Sequence, residues 1–308
     1  MAFTSNMSTT SSVDNSIILA YDQQFIVASA QEQIMDQFVS YKKLIGAKSI
    51  DFPKYSNLAL VVSALDEDDD VTSEALVDAQ IILTPAEYGN VVTRTALASF
   101  QTGGTVDLAA ARLVGINMAR SMDKLALLAL DASSNALTVD GGAESSLDAT
   151  DVMTTTFLNK LYNKLARASV QPLSDGQYIA VMHEDCIADL RASTGAGSWQ
   201  DINKYSNPES VLKNEVGSVC GFKIVRNNHA SITDGGGAST VDTYKNYFMG
   251  FNALGKAVSS EGQMVLSGPY DKLARFVNIG WKGCFQYKIV DQDAIWVGIT
   301  ASSVGENA

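Results

Sequence analysis

Residues 101–133 read QTGGTVDLAAARLVGINMARSMDKLALLALDAS, and this stretch predicts one long helix. Gly103 and Gly104 interrupt the chain before it. Thr105 can cap the helix, and Asp107 lies in the first turn, where the helix dipole favours an acid. Apolar and small residues recur at spacings near three and four and form one stripe, made of Leu108, Ala111, Gly115, Met118, Met122, Leu125 and Ala129.

The helix is also apolar outside that stripe. The additional apolar positions are Leu113, Ile116, Leu127 and Leu128. A helix of about 26 residues spans roughly 39 Å. Because it is apolar on more than one side, we expect a sheet or neighbouring subunits to cover it.

Upstream of the helix, the pattern predicts a second helix and then strands. Residues 17–45 carry apolar residues at helical spacing, and Gly46 is placed to end that helix. Residues 58–63 predict a strand. The β-branched run from residue 78 to about Phe100 predicts one or two further strands.

Downstream, helices and strands are mixed, which predicts an α+β fold. Residues 134–150 predict a loop, and residues 151–169 an amphipathic helix that buries Phe157, Leu158, Leu161 and Leu165. The later elements are a buried strand at 177–182, a short helix at 184–193, a long loop at 194–211, a strand after a glycine turn at 217–228, a loop tip at 234–240 and two or three strands in 274–302.

The composition is that of a globular chain with an acidic excess. The 308 residues carry a net charge of −12, and the 22 Lys and Arg residues are scattered. Proteins that bind nucleic acid or anionic membranes through charge rely on clustered Lys and Arg, so this composition argues against both activities. The three cysteines, Cys186, Cys220 and Cys284, are odd in number and far apart, which favours reduced core thiols in an intracellular setting.

The N-terminal residues are polar and rich in Ser and Thr. They contain no basic segment followed by an apolar one, so they predict a flexible arm of about 15 residues and no signal peptide. No apolar run reaches the roughly 18 residues that a membrane span needs.

Five consecutive acids, Asp66 to Asp70, raise the question of a metal site. Asp66, Asp68 and Asp70 have the spacing of a calcium loop, but such a loop needs Gly at its sixth position and Glu at its twelfth. Val71 and Val77 occupy those positions. The run therefore favours an exposed hairpin end, where adjacent carboxylates repel one another and remain in water.

A second candidate is GFNALGKA, residues 250–257, which fits G-x-x-x-x-G-K. A phosphate-binding loop needs Ser or Thr next, and Ala257 stands there. Phe251 and Leu254 also lie where backbone N–H groups should converge on phosphate. The alternative is a strand-to-helix turn in which Gly255 relieves crowding.

A third candidate is MHEDC, residues 182–186, which suggests a thiol nucleophile or a zinc site. A zinc deaminase would need a later P-C-x-x-C, and the sequence has none. The favoured interpretation places Glu184 and Asp185 in the first turn of a short helix, with His183 near its cap.

The order of these elements resembles that of tailed-bacteriophage major capsid proteins with the Hong Kong 97-type fold. YSNLALVVSALDEDDDVTSEAL and EYGNVVTRTALASF resemble the extended loop of the coliphage-N-four-like branch, with Leu65 to Glu67 at the loop tip and Tyr88–Gly89 starting the return strand. AARLVGINMARSMDKLALLAL resembles the spine helix of the family. YIAVMHEDCIADLRAS, GSVCGFKIVRNN and NYFMGFNALGKA resemble its axial domain, and RFVNIGWKGCFQYKIVDQDAIWVGITAS its closing strands.

The resemblance implies a division of the chain. Its segments are an N-terminal arm and helix at 1–50, an extended loop at 51–90, a peripheral domain with the spine helix at 91–175, an axial domain at 176–270 and closing peripheral strands at 271–308.

The resemblance also implies a structural role without enzymatic activity, cofactor or metal. Pentamers and hexamers of the chain would form an icosahedral head around double-stranded DNA, assembled in the host bacterial cytoplasm with a separate scaffolding protein and a portal, and open to a decoration protein. The implied subunit contacts are Leu65, Asp66, Glu67, Asp68, Asp69 and Asp70 at the loop tip. Two alternatives are the shell of a bacterial encapsulating nanocompartment and a nucleotide-dependent enzyme that uses residues 250–256.

Overall fold

A computed structural model describes residues 25–26, 34–55, 58–64, 68, 70, 73–102, 105–173, 176–193, 217–269, 271, 273 and 275–305. The α-helices are α1 (Ala96–Gln101), α2 (Thr105–Asp131), α3 (Thr155–Arg167) and α4 (Glu184–Ala192). The strands are β1 (Ser40–Lys43), β2 (Ile50–Tyr55), β3 (Asp78–Leu83), β4 (Ala86–Thr95), β5 (Ala136–Thr138), β6 (Tyr178–Met182), β7 (Ser218–Val219), β8 (Phe222–Arg226), β9 (Ile232–Thr233), β10 (Thr243–Met249), β11 (Leu254–Ser267), β12 (Phe276–Ile289) and β13 (Ile295–Thr300).

The strands form three sheets. A four-stranded sheet has the order β1-β11-β12-β4, and its centre is the long antiparallel pair β11 and β12. A seven-stranded sheet has the order β5-β13-β10-β6-β8-β7, with β9 added to β10. Among the described residues, strands β2 and β3 pair with each other alone and form an antiparallel hairpin base.

Helix α2 confirms the long helix predicted from residues 101–133. One side of it packs against the four-stranded sheet, and Ala111, Met118 and Met122 are buried there. On the other side Leu113 and Leu128 are exposed. The sheet therefore covers one side of this apolar helix and leaves the other in water.

A second hydrophobic core lies between α3, α4 and the seven-stranded sheet. The predicted inward residues of α3 are all buried: Phe157, Leu158, Leu161 and Leu165. Thr154 caps this helix by accepting a hydrogen bond from the Phe157 N–H. Every residue of β6 is buried, as predicted for a central strand. The glycine-turn strand and the strands β12 and β13 are also confirmed.

The prediction of a helix over residues 17–45 is wrong for the described residues 34–45. Met35–Phe38 form a single 3-10 turn, and β1 follows it. Strand β1 pairs in parallel with β11, and Ser40 lies opposite Gly255. A partner more than 200 positions away overrides the local helical spacing. Residues 17–24 and 27–33 lie outside the described part of the chain.

Other predicted boundaries also change. The strand predicted at residues 58–63 is wrong: these residues are exposed and pair with no strand in the described part of the chain. The predicted loop at 134–150 contains the short strand β5, which pairs in parallel with β13. The long strand β11 was not predicted. Its outer half alternates between partly buried and exposed residues, which lowers its apolar signal.

The N-terminal segment crosses α2 closely at Gly115. A Cβ at this position would lie 2.7 Å from the carbonyl oxygen of Phe25, whose side chain is buried in the core. This contact holds residues 25–26 against the middle of the helix.

We expect Gly115→Ala to destabilise the subunit and to free this segment. Alanine favours a helix over glycine by about 1 kcal/mol, so an unobstructed site would become more stable. Overpacking against backbone costs about 1–3 kcal/mol, and we expect it to dominate. Urea unfolding and limited proteolysis before residue 35 would measure the effect. Increased stability with unchanged cleavage would contradict the contact.

Candidate functional site

The two faces of the four-stranded sheet carry different structures. Alternate residues of a strand point to opposite faces. Ile279, Trp281 and Phe285 of β12 belong to the core that contains α2. Gln286 and Lys288 lie on the opposite face, where they contact the chain just after and within β3. The hairpin of β2 and β3 is therefore rooted on the face opposite α2.

The root of the hairpin is a small apolar cluster with polar contacts around it. Phe52 and Leu83 are buried with Ala257 and Val290. The remaining contacts are a hydrogen bond from the Thr84 N–H to Gln286 Oε1 at 2.6 Å, one from Lys288 Nζ to the carbonyl of Ile82 at 3.2 Å, and the ammonium of Lys42 over the Phe52 ring at 4.5 Å. These contacts fix the direction in which the hairpin leaves the sheet.

An ion pair joins the hairpin to the loop after β12. Lys54 Nζ lies 2.6 Å from Asp291 Oδ1 and 3.3 Å from Asp293 Oδ2. Burial acts to lower the pKa of Lys54, but hydrogen bonds and the charges of the two carboxylates outweigh it and raise that pKa. Lys54 therefore stays charged and holds both acids.

Beyond its root, the hairpin exposes a large apolar surface. All described residues between β2 and β3 are exposed. The large apolar ones are 59–94% exposed and comprise Leu58, Leu60, Val61, Val62, Leu76 and Val77. Monomeric proteins rarely leave such a patch in water, so this surface has the character of a contact site.

The predicted contact residues fall at the acidic end of this segment. Asp68 and Asp70 are exposed, as a solvated tip requires. Leu65, Asp66, Glu67 and Asp69 lie outside the described residues. In the described part of the chain, no group of three His, Cys, Asp or Glu side chains is arranged to hold a metal ion.

A second exposed apolar surface was not identified from the sequence. Strand β4 is an edge strand of ten residues, and Val91 and Val92 on it are exposed. Helix α1 follows directly and exposes Leu97 by 64% and Phe100 by 86%. The sequence analysis predicted strand up to about Phe100. It therefore gave no reason to expect that Leu97 and Phe100 would be exposed.

A cluster of charged groups holds residues 34–36 against α2 and the four-stranded sheet. Asp123 Oδ1 accepts hydrogen bonds from the backbone N–H groups of Ile34 at 3.1 Å and Met35 at 3.0 Å. Asp36 accepts one from Tyr287 Oη at 2.6 Å and also binds the ammonium of Lys256. Burial raises the pKa of Asp123 to about 6, although the N–H groups of Met35 and Ile34 favour its charged form.

The geometry does not support a phosphate site at residues 250–257. Strand β11 begins at Leu254, so no helix follows the turn, and the predicted strand-to-helix turn is wrong. Lys256 is 4% exposed and lies near the rings of Phe285 and Tyr287, at 5.8 and 5.4 Å. The N–H of Phe251 donates to the carbonyl of Gln171 and is not open to a ligand.

The side chains of the third candidate, residues 182–186, have structural contacts. His183 caps α4 through Nδ1, which accepts a hydrogen bond from the Asp185 N–H at 3.3 Å. The thiol of Cys186 is buried, contacts Thr300 Oγ1 at 3.5 Å and accepts a hydrogen bond from Asn246. Burial raises the pKa of Cys186 to about 12, so this thiol is a poor nucleophile.

No helix in the described part of the chain is long and apolar enough to cross a membrane.

Known proteins resemble this chain in structure and not in sequence. No protein-family model matches it, and no curated protein is detectably similar in sequence. The capsid of Ralstonia phage GP4 matches 90% of this chain and 93% of its own, with a TM-score of 0.74 and 13% identity. The capsid of cyanophage Pam1 has the same coverages and identity, with a TM-score of 0.69. A virus-like particle from Pyrococcus furiosus matches 91% of this chain and 98% of its own, with a TM-score of 0.58 and 13% identity.

These likenesses extend over nearly the whole chain, and they show that it has the Hong Kong 97-type capsid fold. The α+β class and the fold predicted from the order of elements are thereby confirmed.

We expect Asp123→Asn to stabilise the unassembled subunit at neutral pH and to lose that advantage in acid. The pKa of Asp123 is about 6 in the folded chain against an ordinary value of 3.8, so the folded state binds this proton more tightly than the unfolded one. Wild-type stability relative to the variant therefore rises as the pH falls through that window, by about 3 kcal/mol at most.

Urea unfolding of both proteins between about pH 4 and pH 8 would measure this difference, because all other titrating groups are shared. Asparagine keeps the oxygen that accepts from Ile34 and Met35. Parallel stability curves for the two proteins would contradict a buried Asp123 with a raised pKa.

Proposed function

We propose that this chain is the major capsid protein of a tailed bacteriophage. The observation that carries the proposal is the whole-chain likeness to phage capsids, including the capsid of Ralstonia phage GP4. The exposed hairpin supports it independently, since a shell subunit must leave its contact surfaces in water until it assembles.

Assembly is the proposed mechanism. Copies of the chain associate as pentamers and hexamers, and the apolar residues of the hairpin become buried against neighbouring subunits. Each contact is modest, but closed symmetry sums many of them. The contact residues proposed at the hairpin tip are Leu65, Asp66, Glu67, Asp68, Asp69 and Asp70. Their charge also limits edge-to-edge pairing of free subunits.

The acidic net charge of the chain is compatible with a shell that encloses DNA without binding it tightly. A net charge of −12 disfavours tight binding to packaged double-stranded DNA. We propose a separate scaffolding protein, a portal and a site for a decoration protein as partners, and the virion as the final location. The coliphage-N-four-like branch and the division into arm, extended loop, peripheral domain and axial domain belong to the same proposal.

A second candidate is the shell of an encapsulating nanocompartment. The likeness to a virus-like particle from a cellular organism, Pyrococcus furiosus, is the observation in its favour. Its TM-score of 0.58 is lower than the 0.74 of the Ralstonia phage GP4 capsid. The bacteriophage head is therefore the preferred proposal.

Electron microscopy of native particles, or of the chain co-expressed with a candidate scaffold, tests the function. We expect uniform icosahedral shells large enough for a phage genome. Small shells filled with protein would support the nanocompartment. Monomers or small oligomers under every assembly condition would contradict both.

We expect replacement of Asp66, Glu67, Asp68, Asp69 and Asp70 by Ser to leave the subunit folded and to impair shell assembly or shell stability. The described acids of this run, Asp68 and Asp70, are exposed, so we expect the loss of charge to remove contacts between subunits and not core packing. Circular dichroism would report folding, and electron microscopy with heat treatment would report the shells.

The matched control exchanges Asp66→Glu and Glu67→Asp, which keeps all five charges in the same segment. We expect this control to assemble as the wild type does. Shells of normal yield and stability from the five-serine variant would show that the acidic tip is not a subunit contact.

A further inference from the structure

Helix α2 has a basic solvent face in an acidic protein. We call the α2 solvent face the surface formed by Leu108, Arg112, Leu113, Arg120, Lys124 and Leu128. Arg112 and Arg120 are exposed, and Lys124 is partly exposed. The Lys124 ammonium donates to two neutral acceptors, the carbonyl of His229 and Ser231 Oγ. The face therefore carries positive charge.

Two of the three acids of α2, Asp107 and Asp123, are buried away from this face. Asp107 and Asp123 are 5% and 1% exposed. Asp107 pairs with Arg94 at 2.8 Å. Asp131, at the end of the helix, accepts hydrogen bonds from Ser231 and Tyr247. Asp131 is partly exposed and shares the Ser231 hydroxyl with Lys124, so it offsets one cation of the face. Arg112 and Arg120 carry the remaining positive charge.

Leucines lie among these cations. Leu108 is 42% exposed, Leu113 63% and Leu128 50%. Positions three and four apart form a ridge on a helix surface, and such a ridge fits the groove of a second helix. From Leu108 to Leu128 the face is about 30 Å long.

A groove beside the helix completes the surface. Its volume is about 480 Å³. Trp281, Leu125 and Leu128 give it apolar walls, and Arg120 and Lys124 line it as well. An occupant would need apolar side chains for the walls and acidic side chains to match the net positive charge of the face.

If the chain forms a closed shell, as the proposed function holds, the hairpin of a second copy is poorly placed to bind the α2 solvent face. Subunits of such a shell are related by rotations that keep the same face outward. The hairpin is rooted on the sheet face opposite α2, through Gln286 and Lys288. It therefore reaches its neighbours on that side and leaves the α2 solvent face open.

We infer that the α2 solvent face docks an acidic amphipathic helix of a second protein, about 20 residues long. Charge complementarity selects the acids, and the exposed leucines select an apolar stripe beside them. Nucleic acid matches the cations but leaves Leu108, Leu113 and Leu128 in water. The net charge of −12 opposes it further.

Fluorescence anisotropy on full-length unassembled subunits tests the inference. The main probe is a labelled helical peptide of about 20 residues, with Leu at spacings of three and four and Glu beside them. The comparison probes are a scrambled peptide of the same composition, a DNA duplex of similar charge, and a peptide of residues 58–77 of this chain.

Two variants remove the proposed contacts: Arg112→Gln with Arg120→Gln, and Leu113→Gln. The matched control is Lys160→Gln with Arg167→Gln, which removes the same charge from exposed positions of α3. We expect the helical peptide to bind the wild type and the control with equal affinity. We expect its affinity for each α2 variant to be lower by about tenfold or more. Urea unfolding confirms that all of them are folded.

Absence of helical-peptide binding, or equal binding by the scrambled peptide, would overturn the inference. DNA binding that is lost only in the arginine variant would assign the face to nucleic acid instead. Tighter binding of the 58–77 peptide would assign it to a second copy of the chain. Electron microscopy of the same proteins separates this outcome from the proposed function, since shells that form without peptide binding refute the docking site alone.

Discussion

The antiparallel pairing of β11 with β12 is the constraint on which the remaining structure depends. Both strands are 14 residues long, and their alternate residues point to opposite faces of one sheet. Trp281 and Phe285 therefore join the core beneath α2, while Gln286 binds the hairpin on the other face. A shift of one residue in β12 would exchange these two sets. The pleat thus fixes the hairpin and the long helix on opposite sides.

The single subunit leaves much apolar surface in water, and this surface favours association between copies. Val62 on the hairpin is 94% exposed, and Phe100 after β4 is 86% exposed. The exposed Asp68 and Asp70 and the net charge of −12 oppose premature association of these surfaces. In the proposed shell the same surfaces would be buried between copies. The apolar surface that is unfavourable in water on a single subunit would then stabilise the assembly.

The sequence motifs that suggested chemistry are structural, and the reasons are local. Lys256 looked like a phosphate ligand, but it is buried against Asp36 and two aromatic rings. Cys186 looked like a nucleophile, but burial raises the pKa of its thiol. Conversely, the basic face of α2 was missed, because the sequence analysis followed the apolar positions of the predicted helix and did not ask which side Arg112, Arg120 and Lys124 share. Motif spacing gives no measure of burial.

Elements whose pattern is local could be predicted from the sequence alone. Helices α2, α3 and α4, the buried strand β6 and the closing strands β12 and β13 follow from periodicity and caps, and their order was enough to predict the fold. That Ser40–Lys43 form a strand and residues 58–63 do not could be seen only in the folded chain. Strand formation depends on a partner, and the partner of Ser40 is Gly255, which no local pattern can identify. The same long-range pairing decides which face each side chain occupies, and therefore which surfaces remain free for contact.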